Sequence, residues 1–167
     1  MLKNNILSTN MKTLVNIQKS IQTNIEIASS NSVAINEQTS ISTDQSGTVF
    51  EINLLHTEFF NIFLPGGSDM SSDKSLYYKF VVGTTLGNGW VLIRLDQQIQ
   101  VFGNIISPGQ DPQDGTINFN YLNSTMDYFI ITQNAKSGDY IELFCLTPEK
   151  WFLRGVSSYN DGIQIET

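Results

Sequence analysis

Two hydrophobic periods divide the chain. From Leu7 to Ile35, positions Leu7, Met11, Leu14, Gln18, Ile21, Ile25, Ala28, Ser32 and Ile35 recur at alternating steps of four and three. A stripe this narrow is the seam of a coiled coil rather than the broader face of a helix lying on a globular core. As a helix, Leu7 to Ile35 would extend about 43 Å at roughly 1.5 Å per residue. Alone it should not form. It is rich in Ser, Thr, Asn and β-branched residues, each roughly 0.5 kcal/mol worse than Ala, and nucleation costs more. Burying the larger seam residues contributes up to about 1.5–3 kcal/mol each, and only against another helix. The helix prediction therefore carries an oligomer prediction. Gln18 and Ser32 would fix its register. These positions leave two or three strands equally open. The competing reading is a polar arm lying extended on a partner. The stretch beyond Ala28 is the weakest part, because Ser29-Ser30-Asn31-Ser32 is poor helix material.

From about Thr43 the period changes to two. Phe50 and Ile52 alternate with Val49 and Glu51, and Phe60, Ile62 and Leu64 run into Pro65-Gly66-Gly67. Leu76, Tyr78, Phe80 and Val82 share one face. Trp90 to Leu95 and Ile99 to Phe102 read as two strands split by the polar Asp96-Gln97-Gln98. Ile117, Phe119 and Tyr121, then Tyr128 to Thr132, read as two more. Asn- and Gly-containing turns stand between the runs. About eight or nine short strands without a convincing helix predict an all-β unit, an antiparallel sandwich or barrel-like head. The predicted organisation is a helical stalk or anchor over residues 1–42 and a β head over 43–167.

The last run is the most regular. In GDYIELFCLTPEKWFLRGVSS, Ile141, Leu143 and Cys145 point to one face, with Thr-Pro-Glu-Lys as the turn and Trp151 to Val156 as the returning strand. Ile141, Leu143, Trp151 and Leu153 are the predicted hairpin core. Cys145 then serves as a small hydrophobe. A cysteine nucleophile needs a base and an electropositive setting, and the single histidine, His56, lies in no Cys/His signature.

Composition narrows the function classes. Only 15% of residues are charged and the net charge is −7. Residues 1–25 hold Lys3, Lys12 and Lys19 and no acid; the remainder holds six bases and sixteen acids, a charge of −10. Such a body repels nucleic acid and anionic lipid. No run of 18 apolar residues is present, nor the apolar run of a secretory signal near the start. One cysteine excludes an intrachain disulfide. The acidic turns Asp69 to Asp73 and Asp111 to Asp114 have too few oxygen positions for an EF-hand-like calcium loop. Asn123-Ser124-Thr125 fits a glycosylation sequon. Phosphate-cradling glycine loops, nucleophile elbows and zinc spacings are absent. The expectation is a non-enzymatic protein without catalytic residues, metal or cofactor. Trp90, Trp151, Tyr77, Tyr121 and Tyr159 raise a further possibility, a sugar-stacking surface, with both tryptophans read first as core.

The β region resembles the trimeric β-structured heads of bacteriophage and other viral fibre proteins. The resemblance covers roughly residues 48–158. It rests on FNIFLPGG, a strand ending in Leu-Pro; on LYYKFVVG; on IQVFGNIISPG; and above all on the closing hairpin. A heptad stalk before such a head is also similar to fibre architecture. The turn Thr-Pro-Glu-Lys departs from the more usual Asp-Gly-Thr-Asn. The resemblance implies a virion structural protein, made in the host cytoplasm: a homotrimeric head or tail fibre or capsid decoration protein. It would be anchored on a capsid or tail protein by its N-terminus, with the head free to attach to a host glycan or surface protein. The alternatives are a minor capsid or assembly protein with a threading arm, and a monomeric carbohydrate-binding module.

Overall fold

The computed structural model describes residues 32–53, 59–66, 75–84, 88–109 and 116–166. All but Ser32 belong to one compact unit, Val33–Thr167. The seam residues Leu7 to Ala28, His56 and both acidic turns lie outside the described residues.

Ten strands are described: β1 (Ser32–Ile35), β2 (Thr39–Ser40), β3 (Val49–Ile52), β4 (Phe60–Phe63), β5 (Leu76–Val82), β6 (Val91–Pro108), β7 (Ile117–Ile131), β8 (Tyr140–Thr147), β9 (Lys150–Val156) and β10 (Ile163–Glu166). The unit is all-β, as its period of two requires. Ser32 and Ile35, the last two positions of the heptad pattern, are strand residues, and Ile35 is buried in the core. The β unit thus begins about ten residues before the boundary drawn at position 42. Short strands can be absorbed by a sheet that supplies their partners, which the local sequence does not reveal.

The strands form one sheet in the order β1-β3-β5-β8-β9-β6-β4-β2, with β7 on β6 and β10 on β7. Strands β1, β3 and β5 lie on one side of the central β8–β9 pair and β2, β4 and β6 on the other, so from β1 to β6 the chain passes from arm to arm at each step. Strands two apart in sequence run parallel within each arm: β3 with β5, β2 with β4 and β4 with β6. β9 also runs parallel to β6. The expected antiparallel sheet is therefore corrected to a mixed one. The hairpins β6–β7 and β8–β9 and the pairs β5–β8 and β7–β10 are antiparallel. The sheet path ends in β1 and β2, which only residues 36–38 separate. A linker that short spans about 14 Å at most. The two ends must therefore meet, and the sheet curls into a nearly closed barrel-like unit.

The polar Asp96-Gln97-Gln98 does not end a strand. β6 runs through it to Pro108, and the register with β7 shifts between Arg94 and Ile99. Leu95 to Gln98 stand opposite Asp127 alone, which makes this an enlarged, irregular bulge. The bulge lets one edge of β6 serve two partners, β4 beside Val91–Arg94 and β9 beside Gln100–Ile106. β7 is likewise one strand rather than two.

The inner face is continuous and apolar. Tyr78 and Phe80 of β5, Ile93, Val101 and Ile105 of β6, Phe129 of β7, and Ile141, Leu143, Trp151 and Leu153 of the β8–β9 hairpin are all fully buried. Trp151 stacks on Tyr78 with ring centroids 6.2 Å apart. Cys145 pairs across the hairpin with Trp151, is buried, and lies 3.2 Å from the Thr147 carbonyl oxygen. Burial pushes its thiol pKa up, the opposite of what a nucleophile needs.

Candidate functional site

The outward residues of four neighbouring strands make a floor. Because Val91, Ile93 and Leu95 point inward, Leu92 and Arg94 point outward. The register then sets Gln164, Ile130, Leu92 and Asn61 in one row across β10, β7, β6 and β4, with Tyr128, Arg94 and Phe63 in the next. Phe59 and Trp90, just ahead of β4 and β6, are held at the same end, where the Phe60 amide donates to the Trp90 carbonyl at 3.3 Å. Both rings are largely in solvent, 62% and 52% exposed. With Asn88, Gly89 and the turn Thr132–Asn134 they enclose an open groove of about 910 Å³.

The polar groups on this floor are positioned. Arg94 Nε donates to Asn61 Oδ1 at 2.7 Å, and its guanidinium carbon sits 5.4 Å from the centroid of the Tyr128 ring. Among the described residues, that contact holds the side chain without a carboxylate partner. The Thr132 hydroxyl donates to the Asp161 carbonyl at 2.8 Å and accepts from the Asn134 amide at 3.1 Å. Asn134 Nδ2 donates to Asp161 Oδ2 at 2.7 Å, leaving its carbonyl oxygen as an acceptor at the rim. Among the described residues the lining contains Arg94 and no Asp or Glu, an unusual local balance in a chain of net charge −7.

Chemically, the groove offers two exposed aromatic faces, an apolar floor of Leu92 and Ile130, and hydrogen-bonding groups of Arg94, Asn88, Gln133, Asn134 and Gln164. Apolar walls with a few fixed polar groups are the usual make-up of a small-molecule site. Among the described residues its lining has no nucleophile–base pair and no paired carboxylates. Among the described residues, no group of three or more His, Cys, Asp and Glu is arranged to hold a metal ion.

Of the five aromatics singled out in the sequence, the groove takes one. Trp90 is exposed there, which corrects its assignment to the core, whereas Trp151 is fully buried. Tyr77 is half-buried beside Phe144, Tyr121 stands exposed on β7, and Tyr159 is exposed with Lys136 Nζ 4.8 Å from its ring centroid. The sequence reading missed Phe59, Arg94, Tyr128 and the amide rim. The alternation of Leu92-Arg94 against Val91-Ile93-Leu95 carried the signal for Arg94; nothing local links it to Tyr128. No protein-family model, curated protein or solved structure matches the chain.

Proposed function

We propose that this chain is a non-enzymatic recognition protein whose β unit binds a saccharide in the Trp90 groove. It acts as the attachment head of a homotrimeric fibre or decoration protein on a virion. The observation that carries the binding reading is the pair of exposed rings, Phe59 and Trp90, beside the anchored Arg94 and a rim of neutral amides. A pyranose ring has an apolar face and an edge of hydroxyls. The rings receive the face, and guanidinium and amides bond the edge. An aromatic left in water without such a partner forgoes much of the roughly 1.5–3 kcal/mol that its burial offers. The virion and trimer parts of the reading draw support from the heptad seam and the fibre-like hairpin.

Tryptophan fluorescence tests the site, because the chain has two tryptophans, Trp151 fully buried and Trp90 exposed. Titrating a panel of neutral, N-acetylated, uronic and sialic saccharides should blue-shift or quench the red-edge emission for at least one class. Trp90→Ala should remove that response and leave the buried Trp151 emission unchanged. A wild-type protein whose spectrum answers to no saccharide at millimolar concentration contradicts the reading.

A further inference from the structure

Among the described strands, β7 leaves a long stretch of one edge without a partner. β7 is flanked by β6 along its length, but β10 covers its other side only at Tyr128–Ile131. From Ile117 to Met126, no described strand pairs with that side. Every second residue of such an edge turns its N–H and C=O outward, which makes it a template for another chain. Proteins usually blunt long edges with lysine, proline, a bulge or a covering loop. Residues 117–126, Ile-Asn-Phe-Asn-Tyr-Leu-Asn-Ser-Thr-Met, contain no charge and no proline. The one cover described here is at its start, where Asn118 Nδ2 donates to Asn160 Oδ1 at 3.3 Å.

The same stretch carries apolar side chains in water. Ile117, Phe119 and Tyr121 occupy one face of β7, all more than half exposed, and the last two rings stack 6.3 Å apart.

We infer that the free edge of β7, from Ile117 to Met126, is where a second copy of this chain docks. The inference rests on the self-assembly part of the proposed function and places that contact within the β unit; it is independent of the groove. Charge argues for a copy of the same chain. Outside residues 1–25 each copy carries −10, so two copies repel wherever acids face acids. The ribbon formed by residues 99–108 of β6 and 117–126 of β7 has no charged residue at all. Copies can approach there without that repulsion, and the edge offers asparagine amides and aromatic faces to a neighbouring copy. The chain's own leading segment is a poor occupant. Its apolar positions repeat at 3.5 between Leu7 and Ala28, whereas an added strand needs a period of two.

Hydrogen exchange on the full chain, at concentrations above and below its dissociation, tests this, with sedimentation giving the mass at each. The outward-facing amides between Ile117 and Met126 should exchange at least ten-fold more slowly at high concentration and lose that protection on dilution. The double variant F119K/Y121K, at exposed positions, should lose it at high concentration while the amides of β8 and β9 stay protected. Three results overturn the inference. Amides equally fast at all concentrations in an assembled protein mean that copies meet elsewhere, and the trimer reading survives. Protection independent of concentration means that the chain covers its own edge. A wild-type protein of 18.7 kDa at every concentration removes self-assembly altogether, while saccharide binding would still stand or fall on its own titration.

Discussion

At the scale of single residues, position 103 shows how a strand crossing selects its side chain. Gly103 has φ +144°, and a Cβ built there would fall 1.8 Å from the Leu153 carbonyl oxygen of β9. The obstacle is backbone in a fully paired strand, so it cannot step aside. Gly103→Ala should therefore cost at least the roughly 1–3 kcal/mol of a strained backbone residue, read as a lowered urea midpoint at unchanged slope. An equal midpoint would show that β6 and β9 are further apart than described. In the sequence this glycine looks like a strand interruption; its reason is a neighbour fifty residues away. The same distance explains Trp90. Alternation assigned it to an apolar strand, but its ring precedes Val91, the first residue of β6, and lies beside Phe59, which no local pattern could place there.

At the scale of elements, the closing hairpin was the most legible part because its code is local: period two, a proline turn, and partners that follow each other in sequence. The long strands were less legible, since the polar bulge in β6 has the composition of a loop. The arm-to-arm crossings were not legible, because parallel pairing depends on strands that never adjoin in the chain. β5 illustrates what packing adds to an element that was read correctly. Burial, then the charge of Glu142, raises the Tyr77 phenol to about 12, and burial, then the nearby Cys145 and Asp44, raises Tyr78 to about 12. Tyr77 also donates to Glu142 at 3.3 Å, and Tyr78 to the Ser42 carbonyl at 3.1 Å. Both folded values lie above the ordinary 10.0, so the folded state disfavours ionisation. Their contribution to stability is complete below pH 10 and is lost as pH rises from about 10 to about 12. Cys145, also raised from its ordinary 9.0, adds a loss of the same sign. Denaturant midpoints should accordingly fall steeply across that window, and Tyr78→Phe should flatten the fall. A midpoint constant to pH 12 would contradict the description of β5.

At the scale of the whole molecule, two outer surfaces among the described residues carry the proposed contacts. One is the concave Trp90 groove with its single arginine; the other is the uncharged β6–β7 ribbon with its open edge. Composition hinted at both: few charges, many amides, and more aromatics than the core consumes. It could not say where they lie: the groove is assembled from strands brought together by the crossings, and the open edge of the ribbon depends on β10 pairing β7 only at Tyr128–Ile131. In the proposed division of labour one surface faces a ligand and the other faces a copy. The most direct test of the central claim is binding of the intact protein to an array of immobilised saccharides, beside a Trp90→Ala variant of unchanged fold. The account predicts retention on one structural class of saccharide by the wild type and a loss of at least ten-fold in the variant. No retention by the wild type, or equal retention by both, would contradict it.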